Sequence, residues 1–349
     1  MLIADLELFL VDGSRDDTPH RLRWLLVKLA TDTGLEGWGE ARIEWREGAL
    51  AARQEALSGL LCGRELFDIE ELLEMEGLRE RSLRCAVEMA SWDLVGKVAG
   101  LPLYRLFGGA YRQRVPLAVR LEEGSLDGLA RLARQMAENG FHAQIVTATG
   151  AGEEDARRVA AVREAVGEAI ALRLDGACRY DMETARDLCA ELEFEGLQFV
   201  LDPLIRNDLF ETASLARQTS VPLAVWRPIG QPADVLAAVR SAAAPYLVVD
   251  PMRLGGIAPA RKAAAIAEAA GMRASLAGGP SLGIAAAAMA HLAASTPVLA
   301  GCNECPRCQL YEELLVEPLA IVEGMLVVPH GPGLGVEVDR ARLDRLQLA

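Results

Sequence analysis

Three aspartates close apolar runs in the second half of the chain: Asp175 after IALRL, Asp202 after LQFVL and Asp250 after YLVV. Arg120, Thr147, Arg173 and Arg227 fall at or near the ends of similar runs. A guanidinium donates a fork of parallel hydrogen bonds to a carboxylate or phosphate. The arginines could therefore capture a small carboxylate. A salt-bridge network with the neighbouring aspartates that merely fills the interior is the other possibility. Cys302, Cys305 and Cys308 form a separate cluster whose spacing suits Zn²⁺ or an iron–sulfur cluster. A ferredoxin-like run needs a fourth cysteine at the position of Glu312, so reduced thiols in a loop are the simpler expectation. His20, His142, His291 and His330 are scattered and are read as non-catalytic.

The elements that must position these residues fall into two textures. Residues 1–111 read as α+β, with strands at 2–10 and 22–30, glycines suited to a hairpin at 34–40, and helical periodicity over 48–107. One helix covers 86–98 and is stopped by Gly100 and Pro102. After residue 114, apolar strand candidates recur at 115–119, 142–147, 170–175, 197–202, 221–226, 246–250, 272–277 and 297–300. Helical patterns such as 125–139, 154–166 and 258–270 separate them. Alternation alone also fits a doubly wound sheet. A count of about eight strands favours an α/β barrel, whose functional groups sit at the C-terminal ends of its strands.

The chain has 349 residues, 51% of them hydrophobic, enough for a large core and two domains. A net charge of −14 makes nucleic acid and anionic membrane poor partners. Asp5 and Glu7 interrupt any signal-peptide pattern, and no apolar run is long enough to span a bilayer. Seven cysteines form no regular disulfide framework, so a cytoplasmic protein with reduced thiols is expected.

Several motifs recur in a telling order: MASWDLVGKVAGLPLYRLFGG (89–109), GF (140–141), VREAVGE (162–168), RLD (173–175), DPL (202–204), VPLA (221–224), LGGI (254–257) and GPGLGVEVD (331–339). Together they make the chain resemble the enolase superfamily, in its mandelate racemase and muconate-lactonizing branch. The resemblance implies a modified TIM barrel, (β/α)7β, over 114–317. An N-terminal α+β capping domain (1–113), completed by the tail 318–349, would cover it. It also implies a homo-oligomer and a reaction that begins with removal of a proton α to a carboxylate. Mg²⁺ then stabilises the enediolate, and a Lys or His acts as base.

Residue by residue, that machinery is eroded. The Lys-x-Lys pair of the second strand falls on Ile145 and Thr147. Asp175 matches the first metal ligand, but the Asn that usually follows falls on Ala177. Leu201 takes the second ligand position, with Asp202 one residue off and expected to face away from the barrel axis. Trp226 and Arg227 stand where the third ligand belongs. Asp250 matches the Asp that orients a catalytic His, yet 275–286 holds no His, Lys or acid, leaving a half-dyad. His291 occupies a place where a structural His is common. The expectation is a divergent homologue without a cofactor, in which Asp175 is an insufficient metal remnant. It would be non-catalytic or metal-free, with a small-carboxylate pocket formed by Arg120, Thr147, Arg173, Asp202, Arg227 and Asp250. The alternative is an active, Mg²⁺-dependent isomerase, racemase, cycloisomerase or dehydratase. Specificity would come from capping loops at 12–21 and 42–49.

Overall fold

The structure is a computed structural model that describes residues 1–12, 23–45, 48, 50–306 and 314–348. At the N-terminus, β1 (Ile3–Asp12), β2 (Arg23–Thr31) and β3 (Glu36–Ile43) form an antiparallel meander. Helix Arg81–Ala99 packs on it and ends at Gly100, whose φ of 65° provides a left-handed stop. The glycines near 34–40 divide their labour. Gly34 (φ 83°) makes the turn, whereas Gly37 and Gly39 lie inside β3. A β-carbon on Gly39 would collide with the carbonyl of Ala86, so this glycine allows sheet and helix to touch.

Seven parallel strands follow: β4 (Arg114–Leu121), β5 (Ala143–Thr147), β6 (Ala171–Asp175), β7 (Leu197–Leu201), β8 (Leu223–Val225), β9 (Tyr246–Val249) and β10 (Arg273–Leu276). They pair in sequence order, with helices such as Leu126–Glu138, Gly152–Val166 and Ile257–Ala269 between them. The eighth barrel strand is displaced from its expected place. Residues 297–300 do not form it: Pro297–Leu299 is a 3₁₀ turn, because Pro297 has no N–H and a fixed φ, while Leu299 is buried as a plug. The strand is β11 (Asn303–Glu304), parallel to β4. On its other side, Leu276 N donates to the Asn303 side chain at 2.7 Å, so a side-chain amide closes the circle. In the tail, β12 (Ile321–Val322) and β13 (Met325–Val327) form a hairpin that extends β4 in antiparallel fashion.

Buried carboxylates fasten the N-terminal unit and the tail to the barrel. Glu40 of β3 accepts from Leu282 N, Ala285 N and Ser281 Oγ at the start of helix Ile284–Ser295. Glu88 accepts from Ile257 N, Ala258 N and Trp92 Nε1 at 2.7, 2.8 and 2.9 Å. Both satisfy orphan donors of a barrel helix with an acid from the other unit. Asp93 accepts from Trp38 N, Leu334 N and Lys97 Nζ, tying the tail to β3 and helix Arg81–Ala99 of the N-terminal unit. Among the described residues, no helix is long and apolar enough to cross a membrane.

Candidate functional site

At the C-terminal ends of β4, β5, β6 and β11 an ion network fills the barrel mouth. Arg120 Nη1 lies 3.0 Å from Asp175 Oδ2 and 2.7 Å from Thr147 Oγ1. Its Nε and Nη2 grip Glu304 Oε1 at 2.9 and 2.8 Å. Arg227, just past β8, places Nη1 3.1 Å from Asp175 Oδ1 and 3.1 Å from Asp202 Oδ2. Burial alone would raise the Asp175 carboxyl, but Arg120 and Arg227 together hold it below its ordinary value. The acids in turn hold both guanidiniums charged against the cost of burial.

Asp202 joins this network by an irregular route. Leu201 faces the lumen, as strand alternation requires. Asp202 then adopts a φ of 41°, a left-handed value that a non-glycine residue rarely takes. Its carboxylate accepts from Trp226 N and Arg227 N at 3.1 and 2.8 Å and meets Asp175 only through Arg227. Burial raises its carboxyl against these donors.

The remaining expected site residues lie apart from this knot. Arg173 is 3% exposed; it donates to Gln198 Oε1 and the Cys302 carbonyl and covers the Phe199 ring. Burial brings its guanidinium down to about 10, since no carboxylate touches it. Asp250 caps the short helix Pro251–Leu254 through Met252 N and Arg253 N and accepts from Trp226 Nε1 at 3.1 Å. Burial raises its carboxyl, and the nearby Arg42 charge opposes this without forming an ion pair. His291 bridges Tyr104 N and the Leu334 carbonyl, and burial lowers its imidazole to about 4, as suits a structural His. His330 Nδ1 meets the Tyr104 hydroxyl. Cys302 and Cys305 flank β11, and Cys305 Sγ contacts the Pro306 carbonyl. Cys308 and His20 lie outside the described residues, as do most of the capping-loop positions at 12–21.

Glu304, the second acid on Arg120, escaped the sequence reading, hidden inside the cysteine pattern. Arg42, expected to open the capping loop 42–49, lies instead in β3, one residue before its end.

Mg²⁺ demands octahedral oxygen ligands at about 2.0–2.1 Å. Here both Asp175 oxygens are taken by guanidinium N–H groups, Oδ1 also accepts from Ala177 N, and Leu201 and Trp226 offer no anionic oxygen. Among the described residues, no three His, Cys, Asp or Glu side chains converge as a metal site. The residues present do not fit the ion: two protein cations stand where it would have to sit. The lumen beneath, lined by Ile145, Phe199, Leu201 and Ser275, retains a cavity of about 10 Å³. That is room for about one water.

Residues 128–342 match the family described as Enolase C-terminal domain-like, and residues 15–108 match the Mandelate racemase / muconate lactonizing enzyme, N-terminal domain. The chain belongs to the enolase superfamily, in its mandelate racemase and muconate-lactonizing group. It is 30% identical over 339 residues to the chloromuconate cycloisomerase of Cupriavidus pinatubonensis, covering 93% of this chain and 91% of that protein. It is 28% identical over 329 residues to muconate cycloisomerase 1 of Rhodococcus opacus, covering 90% and 88%. The muconate lactonizing enzyme of Pseudomonas putida superposes with a TM-score of 0.90 over 100% of both chains at 26% identity. The (β/α)7β barrel under an α+β capping unit is thus the fold of this chain.

Proposed function

We infer that this chain is a metal-independent member of its superfamily that binds a small carboxylate without removing its α-proton. The observation that carries this is Arg227, whose guanidinium bridges Asp175 and Asp202 where the reaction of the group needs a divalent cation. No Lys or His stands at Ile145 or Thr147, nor anywhere in 275–286, to act as base. Loss of a general base costs about 10²- to 10⁴-fold in rate, and loss of the metal removes several kcal/mol more of transition-state stabilisation. Arg120, Arg227 and their carboxylate partners act as a folded-in replacement for the cation, and Asp250 serves as a helix cap. Charge and apolar patterning favour a cytoplasmic protein with a small-molecule partner, and kinship favours a homo-oligomer.

The test is α-proton exchange in D₂O over a panel of small carboxylic and amino acids, followed by NMR, with Mg²⁺ and then with chelator. No exchange under either condition is the expected result. Exchange that requires Mg²⁺ would return the chain to the ordinary isomerases and lyases of its group.

A further inference from the structure

The arginines of the barrel mouth are spent on their own acids, so a ligand must find its cation elsewhere. A second cavity, of about 60 Å³, lies between the capping unit and the barrel, beside Asp250. Arg42 of β3 and Met89 of helix Arg81–Ala99 form one wall; Met252, Ala285 and Met289 of the barrel form the other. Arg42 makes no hydrogen bond or ion pair among the described residues, although its charge is felt at Asp250. Its guanidinium overhangs Gly279: a β-carbon there would lie 3.8 Å from Arg42 Nη2, an ordinary contact. The oxygens of Asp250 are already committed to Met252 N, Arg253 N and Trp226 Nε1, and the Arg42 fork lines the same cavity without a partner among the described residues.

We propose that this cavity is the ligand site of the protein and that Arg42 holds the carboxylate of a short-chain aliphatic monoacid, whose tail packs on Met89, Met252 and Met289. The proposal rests on the metal-independent reading above and names the ligand class for it. A water needs about 10–15 Å³ of such space, so the cavity takes about four to six non-hydrogen atoms. That is the size of acetate, propionate or butyrate. Inorganic phosphate has the charge and the size, but three thioether side chains give its remaining oxygens no donor. Methionines adapt to an aliphatic chain of either length.

The experiment uses protein labelled with ¹³C at the methionine methyls, kept in chelator and titrated with acetate, propionate, butyrate, hexanoate and inorganic phosphate. Propionate or butyrate is expected to shift the Met89, Met252 and Met289 methyls saturably and to leave the other methionines in place. Arg42→Met should weaken this at least tenfold, the loss of a charged hydrogen-bonding partner. Ala285→Phe, which fills the cavity and keeps Arg42, should abolish it. Undiminished binding to the Arg42→Met protein overturns the role of Arg42. Saturable shifts confined to other methionines overturn the site but leave metal-free carboxylate binding standing. Phosphate binding more tightly than butyrate overturns the ligand class. Binding that appears only when Mg²⁺ replaces chelator overturns the metal-independent reading itself, and no response to any acid overturns both.

Discussion

Arg120→Met is expected to lower unfolding free energy by about 3–5 kcal/mol at pH 7, the cost of leaving buried charge without its partner. Arg120 is the ion-pair partner of Glu304, and it shares Asp175 with Arg227. Its side chain is 9% exposed and that of Glu304 is 7% exposed, so water cannot take over the lost contacts. The loss must depend on pH. The arginines depress the Asp175 carboxyl, so its contribution is present above the ordinary carboxylate range and vanishes as pH falls through the folded-state value. The gap between wild type and variant should therefore shrink in acid. Denaturant unfolding at pH 7 and near pH 3 measures it, and a gap that is constant with pH would contradict the assignment.

Glu88→Gln should change stability in the opposite direction along the pH axis. Burial raises the Glu88 carboxyl from 4.5 to about 7, against the pull of Ala258 N, Ile257 N and Trp92 Nε1. Between these values the folded protein keeps a proton that the unfolded chain releases. The Glu88 contribution is thus fully present below pH 4.5 and is lost as pH rises through about 7. The amount is on the order of 3 kcal/mol across the window, at 1.36 kcal/mol per unit. Glutamine is neutral throughout, so wild type should gain on the variant by that amount as pH is lowered from 8 to 4.5. Paired denaturation curves at the two pH values read the difference directly. Equal differences at both would mean that Glu88 is ionised throughout, held by its three donors.

Much of the architecture was written in local patterns. Seven of the barrel strands lie within a residue or two of the apolar runs that announce them, because a strand buried on both faces must be continuously apolar. The eighth misled because Pro297-Val298-Leu299 is apolar for a different reason: it packs as a turn, and the pairing falls to the polar pair Asn303 and Glu304. No apolar signal could mark a two-residue strand whose side chains bond Leu276 N and Arg120.

The site was legible in its parts but not in its wiring. Arg120 and Arg227 were named from their places at strand ends and Thr147 and Asp175 from the family resemblance, and the structure brings all four into one network. Arg173 was named with them, yet it lies within the lumen against Phe199, away from any acid. Asp202 was expected to be turned out by strand alternation; the left-handed φ that returns it to Arg227 is a tertiary choice no periodicity records. Glu304 comes from an element remote in sequence from Arg120, and long-range pairing of this kind leaves no trace in one chain.

The central claim is that protein guanidiniums occupy the place of the divalent cation, and titration with Mn²⁺ followed by electron paramagnetic resonance addresses it most directly. Free Mn²⁺ gives a strong signal that tight binding quenches, so the bound fraction is counted without reference to any substrate. The account predicts no stoichiometric site in the wild-type protein at neutral pH. One tight site per chain, abolished by Asp175→Asn, would contradict it and would place a metal back among Asp175, Asp202 and their neighbours.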